Sequence, residues 1–120
     1  MTNILINLDY QSRTPIYEQI ISQIEKYVAL GVLKPKEQIP SIREMASVLG
    51  INPNTVKKAY SELENKGVIQ TFSKKGTFIS DNVEKIKDSN IESKINEIKR
   101  IINELEKFGI TKDEIMDKLK

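Results

Sequence analysis

Residues Ser41 to Lys66 read SIREMASVLGINPNTVKKAYSELENK, a stretch that predicts two helices joined by a tight turn. Ser41 stands as N-cap of the first, where its hydroxyl can take an orphan backbone N–H. Ile42, Met45, Ala46 and Leu49 then share one face at helical spacing. Gly50 follows, the residue that most easily takes the left-handed conformation at a helix end. Ile51 fills the corner. Asn52 caps the second helix, and Pro53 occupies its first position, where a missing N–H costs nothing. Val56, Ala59, Tyr60 and Leu63 form the expected buried stripe.

Three residues fix the expected geometry. Ala46 is small where the helices cross, Gly50 makes the turn, and Val56 closes the wedge. That spacing marks a helix-turn-helix whose second helix enters the major groove of DNA. An ordinary helical hairpin is the competing reading. The outward face of the second helix favours DNA: Asn54, Thr55, Lys57, Lys58 and Ser61 leave its first half uncharged or positive, and the first acid is Glu62. A merely solvated face more often mixes both signs.

The 120 residues allow one domain with an appendage. A net charge of +2 does not argue for nucleic acid, but its distribution does. Residues 41–80 carry six Lys or Arg against three Glu, whereas residues 81–120 carry nine basic against ten acidic side chains. Positive charge gathers at the reading helix. Cysteine and histidine are absent, which removes disulfides, thiolate chemistry, histidine bases and the usual zinc sites. No metal or cofactor is expected. No apolar run approaches the ~18 residues of a membrane span, and the N-terminus lacks a signal-peptide layout. A cytoplasmic location is the expectation.

Working outward, Ile4, Ile6 and Leu8 alternate and suggest a short strand or extended arm, and Asp9 to Thr14 is turn-like. Pro15 opens a helix with Ile16, Ile20, Ile24 and Tyr27 at helical spacing, Tyr17, Ile21 and Val28 beside them, and a stop at Gly31. Residues 32–40 read as a loop with a residue-pair of strand near Ile39. Beyond the second helix of the motif, residues 68–72 and 77–80 predict strands joined by Ser73-Lys74-Lys75-Gly76 as a hairpin turn. A helix-turn-helix followed by a hairpin is a winged helix, and the two lysines at the tip are placed to meet phosphates.

Residues 81–88 are expected as linker or helix lead-in, and Ser89 with Glu92 as a capping box. Ile91, Ile95, Ile98, Ile102 and Leu105 then recur at spacings of 4, 3, 4 and 3, the coiled-coil beat, with Ile101 and Phe108 widening the stripe to Gly109. Thr111 and Glu114 cap a last helix carrying Ile115, Met116 and Leu119. Two short helices cannot bury these stripes alone. Pairing with a second copy is expected, since two-fold protein symmetry matches palindromic half-sites.

The segments PIYEQI (15–20), GVL (31–33), IPSIREMA (39–46), NPNTVKKAY (52–60), LE (63–64), KG (66–67) and KGTF (75–78) resemble the GntR family of bacterial transcription regulators. The likeness covers about residues 12–80, with its motifs in family order. The short two-helix tail is similar to that of the YtrA subfamily, whose C-terminal helices dimerise. The resemblance implies that Arg43, Asn54, Thr55 and Lys57 contact DNA and that Gly76 approaches the minor groove.

Together these readings predict an α+β, mostly α, chain: a winged helix-turn-helix DNA-binding domain over 1–80 and a two-helix dimerisation tail over 81–120. It is expected to be a homodimeric transcription regulator and repressor on double-stranded DNA, not an enzyme. Asn54, Thr55, Lys57 and Lys58 would read bases or adjacent phosphates, Arg43 would read or anchor, and Ser41, Lys74 and Lys75 would hold phosphates. Ile91, Ile95, Ile98, Ile102, Leu105, Phe108, Ile115, Met116 and Leu119 would form the dimer contact. The sequence names no small-molecule effector; one would be expected between tail and reading domain. A winged-helix protein-interaction adaptor is the alternative.

Overall fold

A computed structural model of the chain describes residues 5–120. Five helices and three short strands follow in the order α1 (Ile16–Ala29), β1 (Gln38–Ile39), α2 (Ile42–Leu49), α3 (Pro53–Asn65), β2 (Ile69–Phe72), β3 (Gly76–Ile79), α4 (Val83–Glu106) and α5 (Lys112–Leu119). The chain falls into two compact units that divide between Ile86 and Lys87.

In the first unit α1 and α2 both pack on α3, and the antiparallel sheet, ordered β1-β3-β2, joins them. The expected stripes are the core. Val56, Ala59, Tyr60 and Leu63 of α3 are essentially without solvent exposure, and they meet Ile20, Ile21 and Ile24 of α1 with Met45 and Ala46 of α2. Ile39, Ile69 and Ile79 close the sheet side. Each such aliphatic side chain stabilises the fold by about 1.5–3 kcal/mol when fully buried.

The local signals act as their chemistry requires. Ser41 and Glu44 form a reciprocal capping box at the start of α2. Gly50 ends that helix in the left-handed conformation, at φ 66°. Asn52 caps α3 by accepting from the Asn54 N–H, with Pro53 next. Helix α1 stops at Ala29, just before Gly31. The sheet register pairs Ile69 with Ile79 and Gln70 with Phe78, so Phe72 and Phe78 lie on the outer face and the isoleucines on the inner one. On the inner side the Thr71 hydroxyl donates to the Glu64 carboxylate at 2.6 Å and lies 3.4 Å from the Thr77 hydroxyl, tying β2 to α3.

The N-terminal segment is an extended arm rather than a strand. Ile6 is buried and Leu8 half-buried, as their alternation implies, while Ile4 lies outside the described residues. Its backbone is held by side chains of α1: Gln23 both accepts from the Asn7 N–H (2.8 Å) and donates to the Asn7 carbonyl (2.6 Å). Gln19 does the same for Asp9, and the Tyr27 hydroxyl donates to the Leu5 carbonyl. Three residues four apart on one helix thus stand in for a partner strand.

One helix start differs from the expectation. Ser89 and Glu92 cap nothing: α4 opens at Val83 and runs through both. Val83 is buried in the core of the first unit, and its N–H donates to the Ser80 carbonyl. Residues 82–108 contain neither Pro nor Gly, so no residue interrupts the helix once Val83 is anchored. The second capping box is present, with Thr111 accepting from the Glu114 N–H.

Candidate nucleic-acid interface

Helix α3 presents Asn54, Lys57, Lys58 and Ser61 to solvent, with Thr55 half-buried. The opposite face is the core stripe, so burial itself decides which residues point outward. Its pose is fixed at two places. The left-handed Gly50 sets the turn from α2, and the Tyr60 hydroxyl donates to the Pro40 carbonyl at 2.7 Å inside the core. Burial, with the Glu44 charge adding to it, pushes the Tyr60 phenol well above its ordinary range, so this donor keeps its proton at every physiological pH.

Arg43 lies exposed in the first turn of α2. Neither it nor Lys57 forms an ion pair among the described residues. Ser41 spends one lone pair on the Glu44 N–H, leaving its own hydrogen free to donate. The α2 N-terminus adds partial positive charge beside it.

Lys58 has a partner that periodicity did not disclose. Its ammonium sits 3.9 Å from the centroid of the Tyr17 ring on α1, a cation–π geometry. Lys58 therefore braces α3 against α1. The visible signal was an aromatic in the α1 stripe at a half-buried position, but only the fold pairs the two.

The wing turn carries Lys74, Lys75 and Gly76. The Lys75 N–H donates to the Phe72 carbonyl, and left-handed backbone falls on Lys74 (φ 66°) as well as on Gly76 (φ 122°). Gln38 of β1 donates to the Lys75 carbonyl at 3.3 Å, and a Cβ at Gly76 would stand 2.5 Å from the Gln38 amide nitrogen. Glycine is thus favoured at 76 by its φ, and a side chain there would push the Gln38 amide away from the Lys75 carbonyl. Gln38 is a wing-positioning residue with no sequence signature.

In the second unit Ile91, Ile95, Ile98, Ile101, Leu105, Phe108, Met116 and Leu119 are all exposed, Phe108 at 87 %. Ile102 is half-buried. Ile115 is already buried within the single chain, so it has little surface left to offer a partner. No helix among the described residues is long and apolar enough to cross a membrane.

Known proteins resemble this chain in sequence and in fold. The chain is 45% identical over 101 residues, 84% of its length and 75% of the relative's, to the HTH-type transcriptional repressor YtrA of Bacillus subtilis (strain 168). The crystal structure of a transcriptional antiterminator from Listeria monocytogenes EGD-e superposes with a TM-score of 0.70 at 41% identity, covering 97% of this chain and 87% of that one. The DNA-binding domain of AraR, solved in complex with operator ORE1, matches with a TM-score of 0.54 at 25% identity over 64% of this chain and 94% of its own. Residues 16–79, from the first residue of α1 to the last of β3, match the family described as bacterial regulatory proteins, gntR family, and the chain belongs to that family.

Proposed function

We propose that this chain is a DNA-binding transcription regulator that acts as a repressor, two copies reading a palindromic operator in the bacterial cytoplasm, without enzymatic activity. The observation that carries the reading is the exposed face of α3, which offers amide, hydroxyl and ammonium groups and no acid before Glu62. Asn54, Thr55 and Lys57 would meet base edges or adjacent phosphates. Arg43 offers a planar bidentate donor suited to a guanine edge or a phosphate. Ser41, Lys74 and Lys75 would hold backbone phosphates, with Gly76 letting the wing approach closely.

The apolar surface of residues 87–120 supports the dimer. Eight large hydrophobic side chains remain exposed there, more than a soluble monomer leaves uncovered in so short a segment. A tail over 81–120 that pairs with its copy would place two reading helices on half-sites one helical turn apart, or a multiple of it.

Sequencing of genomic fragments captured by the full chain at moderate salt tests this directly. Recovery of a palindrome upstream of a few operons is the expected result, with affinity falling steeply as salt rises. Fragments without a shared motif would sink the reading and leave the protein-interaction adaptor.

A further inference from the structure

The outer face of the wing holds a cleft that shares Lys75 with the proposed DNA contact but is otherwise lined by residues to which DNA reading gives no part. It measures about 370 Å³, the lower end of the range for small-molecule sites. Its floor is the Phe72–Phe78 pair, edge-to-face with centroids 5.9 Å apart. Phe72 is exposed at 49 %, a large apolar surface for a strand only four residues long. Around this floor stand Lys36, Lys75, Gln70 and Asp81.

The rim is arranged by backbone. The Lys36 N–H donates to the Ile79 carbonyl at 2.9 Å, which fixes this left-handed residue (φ 70°) beside β3. Gln38 holds the Lys75 carbonyl from the other side of the turn. Lys36, Lys75 and Asp81 form no ion pair among the described residues. Two unpaired cations thus border an aromatic floor, with one unpaired carboxylate among them.

We propose that this cleft binds a small aromatic acid carrying a hydrogen-bond donor, its ring on Phe72 and Phe78, its carboxylate on Lys36 and Lys75, and its hydroxyl or amino group facing Asp81 or Gln70. Each part of the ligand answers one group of the cleft. The ring replaces water on the face of one phenyl and the edge of the other. The single anion suits two lysines, whereas a chain of phosphates would meet the Asp81 carboxylate as a like charge. That carboxylate and the Gln70 amide oxygen are exposed acceptors that a donor on the ring can reach. The site lies wholly within the first unit, so sensing needs no separate effector domain.

Occupancy would also draw Lys75 away from the DNA backbone and weaken operator binding. This second step rests on the function proposed above; ligand binding itself does not.

The test is an amide chemical-shift titration of the isotope-labelled full chain with salicylate and anthranilate. Phenol and aniline serve as controls lacking the carboxylate, and inorganic phosphate as the charge alone. Saturable shifts at Gln70, Phe72, Phe78 and Asp81 with the two acids, several-fold weaker with the controls, are expected. Phe72→Ala and Lys36→Gln should each weaken them several-fold while amides of α1 and α3 keep their positions, which checks the fold. Equal shifts from phosphate would overturn the proposal in favour of a plain phosphate contact. No saturable shift at millimolar acid, or equal shifts from phenol, would also overturn it. An operator titration then separates the two steps. The acids should raise the dissociation constant of the native chain several-fold and leave that of Lys36→Gln unchanged. A chain that binds the acids but no operator would refute the function and leave the cleft standing.

Discussion

The Tyr60 hydroxyl and the Pro40 carbonyl, 2.7 Å apart in the core, tie the middle of the reading helix to the residue that precedes the N-cap of α2. Both helices of the DNA-reading motif are therefore held at one point by a side chain whose ring also fills the core. Tyr60→Phe keeps the ring and removes the donor, leaving a buried carbonyl unpaired. A loss of about 1–3 kcal/mol is expected from that desolvated group, measured as a lower midpoint of urea unfolding with unchanged slope.

The same phenol makes the fold sensitive to alkali. Its folded value is raised above the ordinary 10.0, so the stability linked to it is fully present below pH 10 and is lost as pH rises beyond. Alkaline absorbance titration should show one tyrosine ionising late, together with loss of helical signal. That late component should be missing from Tyr60→Phe; its persistence there would assign it to another residue.

Lys57 and Lys58 are neighbours in sequence with different surroundings. Lys57 forms no ion pair among the described residues, while Lys58 stacks on Tyr17. Lys57→Ala should lower the salt slope of operator binding by about 1, the signature of a lost phosphate contact. Lys58→Ala should change the slope less and lower stability instead, by about 0.5–1 kcal/mol for an exposed cation–π pair. Arg43→Ala should cost about 1–3 kcal/mol of specific affinity if the guanidinium reads a base. Equal slopes for the two lysine variants would mean that DNA pulls Lys58 off the ring.

Most of the fold was legible because it rests on local rules. Ser41, Gly50, Asn52 and Pro53 are read one at a time, and the α3 stripe from Val56 to Leu63 follows from 3.6-residue periodicity. Contacts between distant segments were not legible. Nothing in the order of residues places Gln38 against the wing turn, Tyr17 under Lys58, or Gln19 and Gln23 along the arm, since each depends on where α1 and the sheet come to lie. The start of α4 misled for a related reason. Ser89 and Glu92 have the spacing of a capping box, but Val83, anchored in the core, lets the helix begin earlier. A local signal gave way to a tertiary contact.

The tail stripe can be tested without DNA. Ile98 is exposed at 51 % in the single chain, so a charge there costs the monomer little while it would sit unpaired within any pairing surface. Ile98→Glu should sediment as a monomer with native helical content. A surviving dimer would place the interface elsewhere. Ile115, buried in the protomer, should behave differently: Ile115→Ala should lower the stability of the tail itself, through the cavity it leaves.

Lys74 joins charge to backbone strain at the wing tip. It holds φ 66° without being glycine, a conformation that costs an ordinary side chain roughly 1–2 kcal/mol. Asparagine tolerates that region better than lysine, and glycine tolerates it best. Lys74→Gly and Lys74→Asn should therefore both raise thermal stability, glycine the more, while both weaken operator affinity by the same factor, because each removes the same charge. If affinity instead followed the order of stability, the shape of the turn rather than the ammonium would govern contact with DNA. Repeating the comparison at high salt separates the two, since a phosphate contact fades as screening grows and a geometric effect persists.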